Sequence, residues 1–318
     1  MNWKKTFVTG ILLVGIITAK VFALNKLINH ISTKYNLLKA NPDNFYKWRF
    51  GSIYYTKKGG GKPILLIHDT NVASSEHEWH KVISDLSQTN TVYAIDLLGC
   101  GRSDKPSITY TNFLYVQMIS DFIKNVIGKK TDVIATGISG TFTLAACAND
   151  NTIIDKVIMV NPQDLVELAK IPTKRGKTIR YLISLPIFGT LIYNLSVNIK
   201  TIQNDFMHRY YYNANKVSID DMEVYFEASQ KNNANSKYLY ASIISRFINA
   251  NVIHQLKNTT NSVFILVGDE DHQYHKAAIK YQEFLPAIEI IGLSSCTYLP
   301  QLEAPRKFVD QVKILFDL

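Results

Sequence analysis

Short, unbroken runs of apolar residues recur along the chain after residue 60, and segments with helical periodicity follow them. Runs without polar alternation are typical of strands that are buried on both faces of a sheet. Strands and helices that alternate through short connections predict a parallel α/β sheet. The predicted strands of the first half are PILLIH (63–68), TVYAID (91–96), TDVIATG (131–137) and DKVIMVNP (155–162).

This alternation stops after Pro162, and the segment 163–250 shows helical periodicity without strands. The strand and helix pattern then resumes and continues to the end of the chain. We therefore predict a discontinuous sheet domain, residues 45–162 and 251–318, with a helical cap inserted at 163–250. The alternating segment at 46–61 ends in three glycines and predicts a β-hairpin at the start of the sheet domain.

The N-terminal segment is apolar from Phe7 to Leu24, with Lys20 as its only charge. A helix of that length rises about 27 Å, which is close to the hydrocarbon thickness of a bilayer. We predict that residues 1–30 anchor the protein in a membrane. A cleaved signal peptide is the alternative, because VFA before Leu24 resembles a cleavage site. Lysines flank both sides of the run, so they assign no side of the membrane. The polar stretch 25–45 predicts a further helix.

Composition narrows the classes of protein. The chain has 318 residues, of which 47% are hydrophobic and 19% charged, so a disordered chain is excluded. The net charge of +9 favours anionic surfaces such as phospholipid. Nucleic acid is not an expected partner, because the chain lacks zinc-finger spacing and an RNA-binding signature. Three distant cysteines predict neither a disulfide framework nor a metal site, and no cofactor is expected.

Candidate chemistry gathers after the predicted strands, because ligands of parallel α/β sheets bind outside the carboxyl ends of the strands. Hydroxyls, acids and glycines follow each strand, in HDTNVASSEHEW, DLLGCGRSDKP, ISG, GDEDH and SSCTYLPQLEAP. In this order the segments resemble the α/β-hydrolase fold family, specifically its capped serine-hydrolase branch. The resemblance covers about residues 45–318, and it implies an ester or acyl substrate.

The family's nucleophile lies in a Gly-x-Ser-x-Gly turn between a strand and a helix. In ATGISGTF the resemblance implies Ser139 as the nucleophile, with Gly137 two residues before it. Thr141 stands where the second glycine is expected. A second alignment puts Gly137 itself at the turn and leaves no nucleophile. Ser139 would then only cap the following helix.

The other catalytic roles also follow from the resemblance. It implies that Asp271, in VGDED, is the acid of the triad. The backbone N–H groups of Gly140 and Thr70 would form the oxyanion hole. Asp69 departs from the family pattern, which has glycine after the histidine of this loop.

Tyr298 stands where the family has its catalytic histidine, in YLPQLEAP. A phenol with a pKa near 10 accepts a proton poorly at neutral pH. His272, just past the acid, is a candidate alternative base, but a surface histidine on a loop is the favoured interpretation. Two hypotheses follow: a serine hydrolase with an impaired triad, or an inactive relative that serves as a ligand-binding or scaffold module.

The predicted cap offers one further signal. A basic stretch at 170–180 precedes an apolar stretch at 181–195. On a membrane-anchored protein this order favours a cap that touches lipid and a ligand with a long acyl chain. The alternative is a cap whose apolar helices only roof the pocket.

Overall fold

The computed structural model describes residues 3–318, without the side chains of residues 4–6. Its sheet has eight strands in the order β1-β2-β4-β3-β5-β6-β7-β8. Strands β3 to β8 run parallel, whereas β2 pairs antiparallel with both β1 and β4. The predicted mostly parallel α/β sheet is therefore confirmed. The strands are β1 (Phe45–Trp48), β2 (Gly51–Gly59), β3 (Lys62–Ile67), β4 (Asn90–Ile95), β5 (Thr131–Thr136), β6 (Ile154–Val160), β7 (Ser262–Gly268) and β8 (Glu289–Leu293).

Helices cover both faces of the sheet, and two hydrophobic clusters lie between them and the strands. The central strands β3 and β5 are buried on both faces apart from Lys62 at the start of β3, as the apolar runs at their centres require. The helices are α1 (Trp3–Thr33), α2 (Ile83–Leu86), α3 (Asn112–Phe122), α4 (Ile138–Asn149), α5 (Leu165–Leu168), α6 (Lys174–Ser184), α7 (Ile187–Ser196), α8 (Ile199–Asp205), α9 (Ile219–Ala234), α10 (Lys237–Ile244), α11 (Ile253–Asn258), α12 (His272–Phe284), α13 (Pro300–Glu303) and α14 (Pro305–Phe316).

Helices α5 to α10 all lie between β6 and β7, in the segment that we predict as the cap. They place a helical layer over the carboxyl ends of the strands, so that a cavity forms between the two layers. This cavity lies at the sheet edge where the sequence gathers its candidate chemistry.

Helix α1 is long and apolar enough to cross a bilayer by length and composition, and a signal sequence meets the same criteria. Its apolar side chains before residue 20 are largely exposed. Its C-terminal part docks on the cap: the Asn25 side chain donates to the Ile187 carbonyl at 2.9 Å and accepts from Asn194 at 3.0 Å. The helix ends at Thr33, so the helix predicted over 25–45 is shorter than the sequence indicated.

Candidate active site

The turn from β5 into α4 is centred on Gly137, which has φ +59° and ψ −131°. Side chains are disfavoured in this left-handed region, and glycine enters it at little cost. A Cβ at this position would also collide with the Asp69 carboxylate and the Tyr298 hydroxyl. Gly137 therefore occupies the sharp strand-to-helix turn, as in the second of the two alignments.

Ser139 lies two residues later, inside the first turn of α4, and it is fully buried. Its hydroxyl donates to the His68 carbonyl oxygen at 2.7 Å and accepts from the Thr70 hydroxyl at 2.8 Å. These bonds fasten the loop after β3 to the start of α4. The side chain that the resemblance implied as nucleophile does not line the cavity.

The Asp69 carboxylate fills the space beside the turn. Tyr298 donates its hydroxyl to Asp69 Oδ2 at 2.7 Å, and the Ile138 N–H donates to Asp69 Oδ1 at 3.3 Å. Burial raises the pKa of Asp69, and the Tyr298 hydrogen bond and the Arg209 charge only partly oppose this. The first backbone N–H after the turn thus donates to a side chain of the protein itself.

The expected oxyanion pair of Gly140 and Thr70 is not what the structure shows. The Gly140 N–H donates to the Gly137 carbonyl oxygen at 3.2 Å, inside the helix. The turn lies at Gly137, so the first N–H after it belongs to Ile138. The Ile138 N–H donates to Asp69, so Ile138 takes the place predicted for Gly140, whereas the role of Thr70 stays a prediction.

Asp271 also departs from its expected role. It is the N-cap of α12, where its carboxylate accepts from the Gln273 backbone N–H at 3.0 Å and from the Gln273 side chain at 2.6 Å. His272, the candidate alternative base, is the exposed first residue of the same helix. Aspartate is among the preferred N-cap residues, which explains its position physically. Tyr298 therefore has Asp69, from the other side of the sheet edge, as its carboxylate partner.

Tyr298 is buried among aromatic rings. Its ring stacks on Tyr210 with centroids 5.6 Å apart and contacts Tyr274 at 5.3 Å. The Arg209 guanidinium lies 4.9 Å from the centre of the Tyr298 ring. Burial, reinforced by the Asp69 charge, raises the pKa of Tyr298 well above its usual value. The phenol is therefore a hydrogen-bond donor at neutral pH, not a base.

Glu78 lies beneath the site and is fully buried, and the sequence analysis did not nominate it. It accepts from Gln301 Nε2 at 2.9 Å and from the Asp69 N–H at 3.3 Å. Burial raises the pKa of Glu78 to about 8. EHEW carries two acids beside a histidine. Only the tertiary structure shows that Glu78 is buried and that it accepts from the neutral Gln301 amide and the Asp69 N–H.

The cavity above these residues has a volume of about 1020 Å³. Asp69 and Tyr298 lie on its lining, and Ile202, Ile243 and Ile248 contribute apolar wall. Arg209 also lines the cavity; among the described residues it forms no salt bridge, and its side chain is accessible. The site thus combines a cation stacked on aromatic rings, apolar walls and a hydrogen-bonded acid–phenol pair.

The chain matches the family model for the alpha/beta hydrolase fold over residues 63–291, which is well over half of its length. The chain belongs to the α/β-hydrolase fold family. The sheet order and the turn after β5 agree with this membership.

This α/β-hydrolase is 30% identical over 114 residues to the 2-hydroxy-6-oxo-6-(2'-aminophenyl)hexa-2,4-dienoic acid hydrolase of Metapseudomonas resinovorans, covering 35% of this chain and 39% of that one. A soluble epoxide hydrolase of Corynebacterium sp. (strain C12) is 24% identical over 109 residues, covering 34% of this chain and 37% of that one. The chain therefore spans less than two-fifths of the length of these curated relatives.

Among solved structures, the fold is similar to a membrane phospholipase A described as a bacterial virulence factor. The TM-score is 0.68 at 16% identity, over 98% of each chain. A meta-cleavage product hydrolase superposes with a TM-score of 0.69 at 17% identity, over 89% of this chain and 99% of that one. At these identities the likeness concerns the fold alone.

Proposed function

We propose that this α/β-hydrolase binds an acyl compound with a carboxylate head at the membrane and does not hydrolyse it. The observation that carries the proposal is Gly137 at the turn after β5, where a nucleophilic side chain would stand. Without that side chain no covalent acyl intermediate forms at the turn. Ser139 does not supply one, because its hydroxyl is buried and its hydrogen bonds go to His68 and Thr70.

The remaining elements of hydrolysis are also engaged elsewhere. An oxyanion hole needs N–H groups directed at the position of the developing charge. Here the Ile138 N–H donates to the Asp69 carboxylate. Tyr298 is a protonated donor to the same carboxylate, so it cannot take a proton from a nucleophile or from water. The Asp69 carboxylate and the Tyr298 phenol thus occupy the space where the acyl group of a substrate would react.

The lining of the cavity supports the class of ligand. Arg209 offers a forked cation, the group best suited to a carboxylate. The isoleucines Ile202, Ile243 and Ile248 offer apolar wall for a chain. A volume of about 1020 Å³ is at the upper end of small-ligand cavities, which suits a flexible acyl chain.

The surface of the cap supports a membrane location. Tyr181 and Leu195 are 63% and 70% exposed, on helices adjoining the docking site of α1. Basic residues of α6 adjoin them, which favours contact with anionic headgroups. A protein that lacks residues 1–23 tests this contact without the N-terminal helix segment. It should co-sediment with phosphatidylglycerol vesicles, and the same protein carrying both Tyr181→Glu and Leu195→Glu should co-sediment less. Equal co-sedimentation of these two proteins would disprove the contact.

The principal experiment measures binding and hydrolysis with the full-length chain in detergent. Dodecanoate binding by calorimetry should weaken at least about tenfold in Arg209→Ala, because a charge-assisted hydrogen bond is lost. Arg175→Ala, an exposed arginine of α6, is the matched control and should bind as the unmodified protein does. No binding by the unmodified protein, or equal binding by both variants, contradicts the proposed ligand.

Hydrolysis of p-nitrophenyl dodecanoate should not exceed the uncatalysed rate, and Tyr298→His should gain nothing because the turn lacks a nucleophile. Turnover that is lost in Ser139→Ala would instead establish the serine hydrolase that the sequence resemblance implied.

A second candidate function is hydrolysis with Asp69 as a general base that activates water. It is favoured by the position of the Asp69 carboxylate, which occupies the space of the missing side chain, and by its raised pKa. The relatives named above are hydrolases, which also favours turnover. In that case Asp69→Asn abolishes hydrolysis, whereas Ser139→Ala retains it.

A further inference from the structure

Two histidines and an aspartate meet where the cap rests on the sheet domain. His77 and His80 follow β3, and Asp221 lies in the first turn of α9, in the cap. His77 Nε2 is 2.8 Å from Asp221 Oδ1, and His80 Nε2 is 3.7 Å from the same oxygen. One ligating atom from each residue lies within 4.8 Å of the others. The three residues lie outside the lining of the cavity described above.

Hydrogen bonding prepares His80 to act as a ligand. Its Nδ1 lies 2.8 Å from the His77 carbonyl oxygen. A carbonyl oxygen can only accept, so Nδ1 carries the proton and the lone pair of the neutral ring lies on Nε2, the atom nearest Asp221. A ligating histidine usually donates its other ring N–H to such a backbone oxygen. The two imidazole rings stack with centroids 4.1 Å apart, which keeps both on the same side of Asp221.

The Asp221 carboxylate has unused capacity to bind a cation. Its side chain is only 4% exposed. Its Oδ2 atom is buried and has no hydrogen-bond partner among the described residues. Lys81 Nζ lies 3.6 Å from Oδ2, beyond hydrogen-bond distance, and donates instead to the Leu302 carbonyl oxygen at 3.1 Å. A buried acceptor of this kind is costly unless something binds it.

We propose that His77, His80 and Asp221 bind a divalent transition metal ion, with zinc as the best fit, and that the ion clamps the cap to the sheet domain. Two imidazole nitrogens and one carboxylate oxygen are a ligand set that zinc accepts. The side chain of His80 is 34% exposed, which leaves an entry path and room for a water as the fourth ligand. The site joins His80 of the sheet domain to Asp221 of the cap, 141 residues later in the chain.

Zinc binding by the tag-free, full-length chain tests this site. After chelator treatment and dialysis against zinc, the unmodified protein should retain one ion per chain by mass spectrometry. In competition with a zinc-binding dye, His80→Ala should bind at least about tenfold more weakly, as expected on losing one of three protein ligands. His275→Ala is the matched control, because His275 faces one aspartate, Asp269, at 3.8 Å without a second histidine. Its zinc affinity should be unchanged.

Two further measurements separate a metal site from a structural cluster. Zinc should raise the thermal midpoint of the unmodified protein and of His275→Ala, since an ion that binds only the folded state stabilises it. It should leave His77→Ala and His80→Ala unchanged, provided that circular dichroism shows both variants folded. Cobalt in place of zinc should give visible d–d absorption only where both histidines are present. Absence of stoichiometric zinc, or equal affinity in the histidine variants, overturns the proposal and leaves an ion pair alone.

Discussion

Two loops at the same sheet edge hold buried acids whose pKa values are shifted in opposite directions. In the loop after β4, Asp96 accepts from Arg102 Nε at 2.7 Å, and Arg102 also reaches Glu76 at 2.9 Å. Burial would raise the pKa of Asp96, but the Arg102 charge lowers it overall. In the loop after β3, which faces the turn after β5, Asp69 and Glu78 are also buried, yet their pKa values are raised.

The difference lies in the partners. Asp96 has a guanidinium at its oxygens, whereas Tyr298 and Gln301 offer only neutral donors to Asp69 and Glu78. The motif DLLGCGRSDKP thus holds its buried acid in an ion pair, while the positions of family chemistry hold groups that are neutral or hard to ionise.

Breaking the paired loop should have the largest effect. Arg102→Ala leaves Asp96, a fully buried carboxylate, without its cation, so we expect a loss of about 3–5 kcal/mol in the free energy of unfolding. Urea denaturation measures this. Lys124→Ala is the control, because the Lys124–Asp150 pair is exposed and screened by solvent, so its loss should change the free energy of unfolding far less. Equal effects of the two variants would show that the loop after β4 does not depend on its ion pairs.

Placing a serine at the turn should have the next largest effect on the free energy of unfolding. Gly137→Ser places a Cβ against Asp69 and Tyr298 at a left-handed φ, so we expect a loss of about 2–4 kcal/mol. Gly128→Ser is the matched control, because Gly128 has φ +67° but open space around its Cβ position. It should lose only the conformational part, about 1–2 kcal/mol. If both variants lose the same amount in urea denaturation, Asp69 and Tyr298 do not crowd the turn.

The smallest effect concerns pH. The pKa of Glu78 is about 8 in the folded state and near 4.5 in the unfolded chain. A raised pKa means that the folded state holds the proton more tightly, so this stabilisation is complete below pH 4.5 and is lost as the pH rises towards 8. Glu78→Gln should therefore flatten the fall in stability between pH 6 and 8 by about 1–2 kcal/mol.

The control for this pH effect is Glu283→Gln, an exposed acid of α12. It should keep the slope of the unmodified protein. A Glu78→Gln variant with an unchanged pH profile would show that Glu78 is ionised at neutral pH in the folded state.

The sequence by itself determined the α/β class and the placing of the chemistry. Unbroken apolar runs of strand length leave few ways to bury both faces of a sheet, and helices between them require parallel strands. It also placed Tyr298 and Asp69 as departures from the family, and it kept Gly137 as an alternative centre of the turn. These inferences depend on local patterns of residue type, which the sequence carries directly.

Only the tertiary structure decided which of these side chains meet. The sequence left two alignments of the turn open, and the φ of +59° at Gly137 decides between them by placing Ser139 in the helix. Asp271 went to a helix cap, and Tyr298 bonded to Asp69, a residue 229 positions away. Such pairings depend on the register of strands and the direction of side chains at the sheet edge. These are set by packing of the whole domain and not by neighbours along the chain.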